Sequence, residues 1–194
     1  MENEERYRKE RKTINLYWAN IFALLLILPI VLIFGLPYYL IWGIQFDKYS
    51  LTQFFGGFWI MLLGLILGII VHELIHGMVW ARFAKNGFKS IKFGILWKMI
   101  MPYCHCKEPL KIKEYLLGAI MPAIILGFIP ATLAIIIGNP AMLIFGMFFT
   151  LAAGGDFLII FTLRNEKADT LVEDHPSEAG CYVYRLAVNN NETI

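Results

Sequence analysis

Three residues capable of acid–base or metal chemistry lie within five positions of an apolar segment, in the stretch IIVHELIHGMVW (residues 69–80). His72 and His76 are separated by four positions, so a helix places both imidazole rings on the same face. This spacing suits two ligands of a tetrahedral zinc ion. Glu73 lies on the flank of that face, where a carboxylate can act as a general base beside the metal. The pattern predicts a zinc-dependent hydrolytic site with Glu73 as its catalytic residue.

A third ligand is needed, because catalytic zinc ions usually have three protein ligands and one open position. Apart from the residues above, Asp156 is the only Asp, Glu, Lys, Arg or His inside the four long apolar runs of the chain. Such residues are costly within a bilayer and are functional candidates by default. Asp156 precedes Arg164 by 8 residues and His76 precedes Arg82 by 6, so a rise of about 1.5 Å per residue places both side chains at similar depth. We therefore predict Asp156 as the third metal ligand.

Two other histidines leave an alternative open for the third ligand. His105 lies in the segment CHC and His175 in the segment DHP, both outside the apolar runs. Charge balance is consistent with Asp156. A zinc ion of charge +2 forms a neutral cluster with the carboxylates of Asp156 and Glu73, and a neutral cluster is less costly to bury than its separate parts.

The composition indicates an integral membrane protein. Of the 194 residues, 58% are hydrophobic and 16% are charged, whereas ordinary soluble domains are about 45–50% apolar and about 25% charged. The formal net charge of +2 gives no indication of a nucleic-acid partner, and three cysteines without regular spacing argue against a disulfide framework. Four apolar runs each exceed the roughly 20 residues needed to cross a bilayer: residues 14–36, 54–81, 115–137 and 141–163.

These runs predict an all-α integral membrane protein, a bundle of four transmembrane helices that forms a single membrane domain over residues 1–194. Basic residues are dense before the first run and in residues 82–114, but Lys48 is alone between the first two runs. Because basic residues favour the cytoplasmic side, we expect a multi-pass cell-membrane protein with cytoplasmic tails at residues 1–13 and 164–194. Strand-forming residues in 82–114 predict a small β-hairpin-like insertion on the cytosolic side, between helices 2 and 3.

The arrangement resembles that of the site-2 protease group of intramembrane metalloproteases. In that group two histidines and a glutamate lie on one transmembrane helix and an aspartate on a later one. The resemblance implies zinc-ligand roles for His72, His76 and Asp156 and a catalytic role for Glu73. The aspartate context differs, since AGGDFL replaces the Leu-Asp-Gly or Asn-Pro-Asp-Gly of that group. The segments HELIHG, CHCKEPL, GGD and DHPSEAG are more closely similar to a bacterial family described as "putative zincin peptidases".

The motif and the resemblance together imply a zinc-dependent intramembrane endopeptidase, which lies in the lipid bilayer and hydrolyses peptide bonds of membrane proteins or peptides. Two other functions stay open: a catalytically silent metal-binding adaptor or pseudoprotease, and a small metal-ion transporter. The intact Glu73 disfavours the adaptor, since a site that only binds metal needs no general base. The lack of a visible internal repeat disfavours the transporter. No feature of the sequence indicates an oligomeric state.

Overall fold

Helices make up most of the structure, and two small antiparallel sheets account for its strands. The computed structural model describes residues 7–43, 51–97, 101–176 and 178–187. The helices are α1 (Leu16–Ile30), α2 (Leu36–Trp42), α3 (Leu51–Phe83), α4 (Ile112–Pro122), α5 (Ile129–Ile137), α6 (Pro140–Ala152) and α7 (Gly154–Leu163). The strands are β1 (Tyr7–Thr13), β2 (Ile91–Leu96), β3 (Met101–Cys106), β4 (Leu110–Lys111), β5 (Leu171–Asp174) and β6 (Gly180–Leu186). The predicted all-α class holds for the helices, but apart from the predicted hairpin-like insertion it omits the four-stranded sheet.

Three helical stretches are long and apolar enough to cross a membrane: Tyr17–Trp42, Gly57–Phe83 and Ile112–Ile137. A fourth stretch consists of α6 and α7, which meet at Ala153 with a bend of 42°. Counting that bent pair as one span gives four. By length and composition, the described part of the chain thus has the helices of a membrane protein, and the fourth predicted run is a broken helix.

π-helical turns follow a proline in two of the spans. Pro29 precedes a π-helical segment at Val31–Gly35, and Pro122 precedes another at Ala123–Phe128. A proline has no N–H group to donate to the preceding turn. A π-helical segment locally widens a helix without ending it. Both spans continue past these segments, to Trp42 and Ile137.

Small residues let the third and fourth spans approach closely. A Cβ atom placed on Gly146 would lie 2.4 Å from the backbone nitrogen of Ala131, and one on Gly127 would lie 2.6 Å from Oγ1 of Thr150. Side chains at either glycine would therefore push the two helices apart. This contact fixes α6, and with it the start of α7, against the third span.

The segment between α3 and α4 contains the predicted strands, which pair as an antiparallel hairpin of β2 and β3. The hairpin packs against α3 through the ring of Phe93, which fills the space beside Gly77. A Cβ on Gly77 would lie 2.5 Å from Phe93 Cζ. The absence of a side chain at this position therefore lets the hairpin lie close to the helix that carries HELIH.

A four-stranded sheet of order β1–β6–β5–β4 joins the two ends of the described chain. Strand β6 covers most of the segment CYVYRLAV. The charged β1 pairs with β6 in the register Tyr7↔Leu186. Glu166, which follows α7, accepts from Lys12 Nζ at 2.6 Å and from Arg185 Nη2 at 2.8 Å, and so ties the sheet to the end of the fourth span.

Some sequence predictions concern residues outside the described ranges. The loop that carries Lys48 is one of them, as are residues 1–6 of the first predicted tail and residues 188–194 of the second. The orientation of the chain across the membrane stays a prediction.

Candidate metal centre

Helix α3 places His72 and His76 one turn apart on a buried face. His72 is 7% exposed and His76 is 4% exposed. Their Nε2 atoms are 3.2 Å apart, and their ring centroids are separated by 4.9 Å. The i, i+4 spacing in an uninterrupted helix is sufficient to produce this geometry.

Asp156 reaches the two histidines from the first turn of α7. Its Oδ2 lies 3.3 Å from His72 Nε2, and its Oδ1 lies 3.3 Å from His76 Nε2. The helix break at Ala153 directly precedes this turn, and the next two residues, Gly154 and Gly155, have low helix propensity. The break therefore starts a new helix whose N-terminal turn presents the carboxylate to α3.

The three groups have the spacing of ligands that share one metal ion. One ligand atom each from His72, His76 and Asp156 can be chosen so that all lie within 4.8 Å of one another. A tetrahedral ion with ligand bonds of about 2.0 Å has ligand–ligand edges of roughly 3.3 Å. The Nε2–Nε2 contact of 3.2 Å matches such an edge, and each Nε2 lies 3.3 Å from a different oxygen of Asp156. Two imidazoles and a carboxylate are also a donor set typical of catalytic zinc.

A second set of contacts orients the ring of His76. Its Nδ1 lies 2.9 Å from the Gly118 carbonyl, which can only accept a hydrogen bond. Nδ1 therefore carries the proton, and Nε2 presents its lone pair to the other ligand groups. Trp80 stacks on the His76 ring with centroids 5.0 Å apart, and its Nε1 donates to the Tyr115 carbonyl at 3.0 Å.

His72 is held by packing. Its Nδ1 is buried and has no hydrogen-bond partner among the described residues. The ring stacks on Phe149 of α6, with centroids 6.4 Å apart. Phe149 in turn occupies the space beside Gly68, where a Cβ would lie only 2.3 Å from its ring. The position of His72 thus depends on the contact between α3 and α6.

Glu73 lies between the metal group and the hairpin. The backbone N–H of Cys104 in β3 faces its carboxylate. Together with His72, His76 and Asp156 it lines a cavity of about 570 Å³. Helix α1, strand β3 and the turn that follows β5 supply other parts of the cavity wall. The carboxylate and the metal group therefore open onto the same space.

A family model described as "Putative zincin peptidase" matches residues 65–171, which is more than half of the chain. The chain belongs to this family. All of His72, Glu73, His76 and Asp156 lie within the matched region. Membership in a zincin peptidase family indicates zinc as the cofactor and supports a zinc metallopeptidase in general. No curated protein and no solved structure matches the chain.

The two alternative histidines lie away from this group of ligand atoms. His105 is on β3 with its ring 4.3 Å from that of Tyr103, and His175 follows β5 with its ring 4.8 Å from that of Tyr182. Neither belongs to the group of ligand atoms found among the described residues. Burial lowers the pKa of His105 to about 4, so its ring is neutral at physiological pH. His105 still lines the cavity and can contact a bound molecule.

Sequence reasoning missed two neighbours of the site. Trp80 follows His76 by four positions, so the same periodicity that joins the histidines would have placed it on their face. Asp174, from the segment DHP, lies on β5 and also lines the cavity. It accepts from the Tyr115 hydroxyl at 2.5 Å and from the Cys106 N–H at 2.7 Å. Burial raises the pKa of Asp174 to about 6 despite these hydrogen bonds. Only tertiary structure brings it there.

Proposed function

We propose that this protein is a zinc-dependent intramembrane endopeptidase of the site-2 protease type, which hydrolyses peptide bonds of membrane-associated substrates. One observation carries the proposal: a His–His–Asp group whose ligand atoms lie within 4.8 Å of one another opens onto the same cavity as the carboxylate of Glu73. The family membership supports a zinc metallopeptidase, and the long apolar helices that carry these residues support a site within the membrane.

The proposed roles follow from the chemistry of each group. His72, His76 and Asp156 hold the zinc ion, which when bound supplies Lewis-acid activation of a peptide carbonyl and of water. Glu73 accepts the proton of the attacking water and passes it to the leaving amine nitrogen. The Cys104 N–H faces the Glu73 carboxylate, and a carboxylate has further lone pairs for proton transfer.

The substrate has to be extended at the site, because a helix keeps its peptide carbonyls in internal hydrogen bonds. Strand β3 offers a surface for such a segment, since β2 is its only partner among the described strands and residues 102–105 line the cavity. The Pro102 and Cys104 carbonyls lie on the edge away from β2. They can accept hydrogen bonds from amides of a substrate strand.

The proposed location is the cell membrane, with both ends of the chain in the cytoplasm. The support is the distribution of basic residues, which are dense in residues 82–114 and nearly lacking in the connections on the opposite side. The partners that fit this location are a membrane protein or peptide as substrate and the surrounding lipid.

Replacement of the proposed base tests the function. We expect Glu73→Gln to retain zinc and to cleave labelled casein in detergent micelles at least about 100-fold more slowly, since positioned general bases typically contribute about 10²–10⁴-fold. Glu173→Gln is a matched control, because Glu173 bonds Tyr184 on the outer sheet. Zinc content and cleavage rate are measured on the same preparations.

Three results would contradict the proposal in different ways. Cleavage by Glu73→Gln at the wild-type rate excludes Glu73 as the base. Zinc-loaded wild-type protein that cleaves neither casein nor a single-span peptide is an adaptor or pseudoprotease. Zinc flux into liposomes that contain the protein identifies a transporter.

A further inference from the structure

The outer edge of β3 carries two backbone amides that point away from β2. Lys107 N–H donates across the hairpin at 2.8 Å, which makes His105 and Tyr103 the residues that exchange hydrogen bonds with β2. In an antiparallel pair the intervening residues direct their N–H groups to the opposite side. The amides of Cys104 and Cys106 therefore face outward.

Two carboxylates from different elements lie beside these two amides. Asp174 on β5 accepts from Cys106 through Oδ2 at 2.7 Å, and Glu73 on α3 faces the outward amide of Cys104. Alternate residues of a strand are separated by about 6.6–6.8 Å. Because that separation is fixed by the strand, a carboxylate that holds one amide also sets the position of the other.

Asp174 is well placed to act as the fixed point of this arrangement. It is the last residue of β5, which pairs with β6 on one side and β4 on the other. Its second oxygen, Oδ1, accepts the Tyr115 hydroxyl from α4 at 2.5 Å. Both oxygens are thus engaged, by groups from two different elements, and the side chain has little freedom to move.

We propose that Asp174 is a positioning residue for Glu73. By holding the Cys106 amide, Asp174 keeps β3 at the place where the Cys104 amide faces the Glu73 carboxylate. The proposal rests on the proposed function, in which Glu73 is the general base. It accounts for two segments that the metal group leaves unexplained, CHC and DHP, as the two sides of one contact.

Asp174→Asn weakens this contact with almost no change in volume. The substituted side chain has one acceptor oxygen, for which the Tyr115 hydroxyl and the Cys106 amide compete. We expect kcat to fall by about 10- to 100-fold, because displacements of about 1 Å near reacting groups can cost about 100-fold. KM and zinc content are expected to stay near wild type, since no metal ligand changes. Assays at pH 8 keep the wild-type carboxylate ionised.

A second measurement follows the strand itself. The chain has only three cysteines, Cys104, Cys106 and Cys181, so selective ¹⁵N-cysteine labelling reports both outward amides. Cys181 lies in β6, opposite Lys12 of β1 on one side and opposite Asp174 of β5 on the other, so its exchange shows whether the substitution disturbs the sheet itself. We expect Asp174→Asn to speed hydrogen exchange at Cys106 and also at Cys104, although the carboxylate that faces Cys104 is unchanged. Exchange at Cys181 should not change.

Two variants serve as controls. Tyr115→Phe removes the other donor to Asp174 but leaves the Cys106 contact, so exchange at Cys104 should rise much less than in Asp174→Asn. Asp174→Glu keeps the charge and moves the carboxylate by one methylene. It should also lower kcat, and it replaces Asp174→Asn if that variant does not fold.

The outcomes separate this proposal from the proposed function. Unchanged Cys104 exchange in Asp174→Asn overturns the positioning role, whatever the activity. Faster exchange with an unchanged kcat overturns it as well, because the strand would then move without consequence for catalysis. Wild-type cleavage by Glu73→Gln would instead remove the proposed base, while the exchange data would still decide whether Asp174 holds the strand.

Discussion

The ligand residues differ in how they are held, which decides what each substitution should do. His76 is oriented by a hydrogen bond to Gly118 and by the Trp80 ring, whereas His72 depends on packing against Phe149. Asp156 lies within 3.3 Å of both histidine Nε2 atoms. Removal of the Asp156 carboxylate therefore takes away a ligand group that contacts both histidines.

Zinc binding by two variants tests the assignment of the third ligand. We expect Asp156→Ala to lower zinc affinity by more than about 100-fold, because even changes in residues that only support ligands typically cost about 10–100-fold. His105→Ala should bind zinc like the wild type, since His105 lines the cavity without joining the ligand group. Zinc content is measured after dialysis against a graded metal buffer. Loss of zinc in His105→Ala with retention in Asp156→Ala would place the third ligand on β3.

The residues of the metal group were accessible from sequence for a simple physical reason. Helical periodicity fixes the relation of His72 to His76, and the cost of burying charge in lipid singles out Asp156. Asp174 was not accessible in this way. It lies in a polar segment, where a carboxylate is unremarkable, and only the pairing of β5 brings it to the cavity.

At the scale of elements, the contact between α3 and α6 supports the site through a single glycine. Gly64 and Gly68 have the spacing of a helix-packing motif. Only at Gly68 does a neighbouring side chain occupy the space that a Cβ atom would take. A Cβ on Gly68 would lie 2.3 Å from the ring of Phe149, whereas one on Gly64 would meet nothing within 4 Å. The ring of Phe149 therefore packs against Gly68, whereas no side chain packs against Gly64.

Alanine substitutions at these two glycines should have different effects on the free energy of unfolding. Gly68→Ala forces Phe149 away from His72, and we expect it to lower the free energy of unfolding by about 1–3 kcal/mol, the usual range for overpacking. It should also weaken zinc binding. Gly64→Ala should be neutral or stabilising, because alanine favours a helix by about 1 kcal/mol over glycine. Denaturant unfolding in micelles checks both. Equal destabilisation by the two variants would contradict the inference that Phe149 packs tightly against Gly68 and that the space beside Gly64 is open.

Sequence patterns predicted helices better than the points where they break or the strands beside them. Residues 141–163 form one apolar run, yet the helix breaks at Ala153, next to Gly154 and Gly155. Composition alone does not distinguish these two glycines, as a point where a helix breaks, from the other glycines of the apolar runs. Strand β1 has the sequence YRKERKT, which contains no alternation of apolar and polar residues. Its strand conformation comes from pairing with β6, a contact between distant parts of the chain.

At the scale of the whole molecule, the pairing of β1 with β6 joins the two ends of the described chain in one sheet. Glu166 lies at the centre of this closure, with a side chain only 6% exposed and bonds to Lys12 and Arg185. Its position just after α7 links the fourth span to both ends of the described chain. Hydrogen bonds from Arg185, and then from Lys12, lower the pKa of Glu166 to about 2.

The pH dependence of stability should reveal this link. Since the folded-state pKa is near 2 and the ordinary value is 4.5, the contribution of Glu166 is fully present above about pH 4.5 and is lost as the pH falls toward 2. We expect Glu166→Gln to be less stable than the wild type by about 1.5–3 kcal/mol at pH 7, the range for hydrogen bonds to charged groups. That difference should shrink as the pH falls through this window. Glu178→Gln, which removes an exposed pair with Arg11, should change stability by less than about 1 kcal/mol. A difference between Glu166→Gln and the wild type that is equally large at pH 7 and pH 2.5 would show that the carboxylate charge does not hold the sheet to the fourth span.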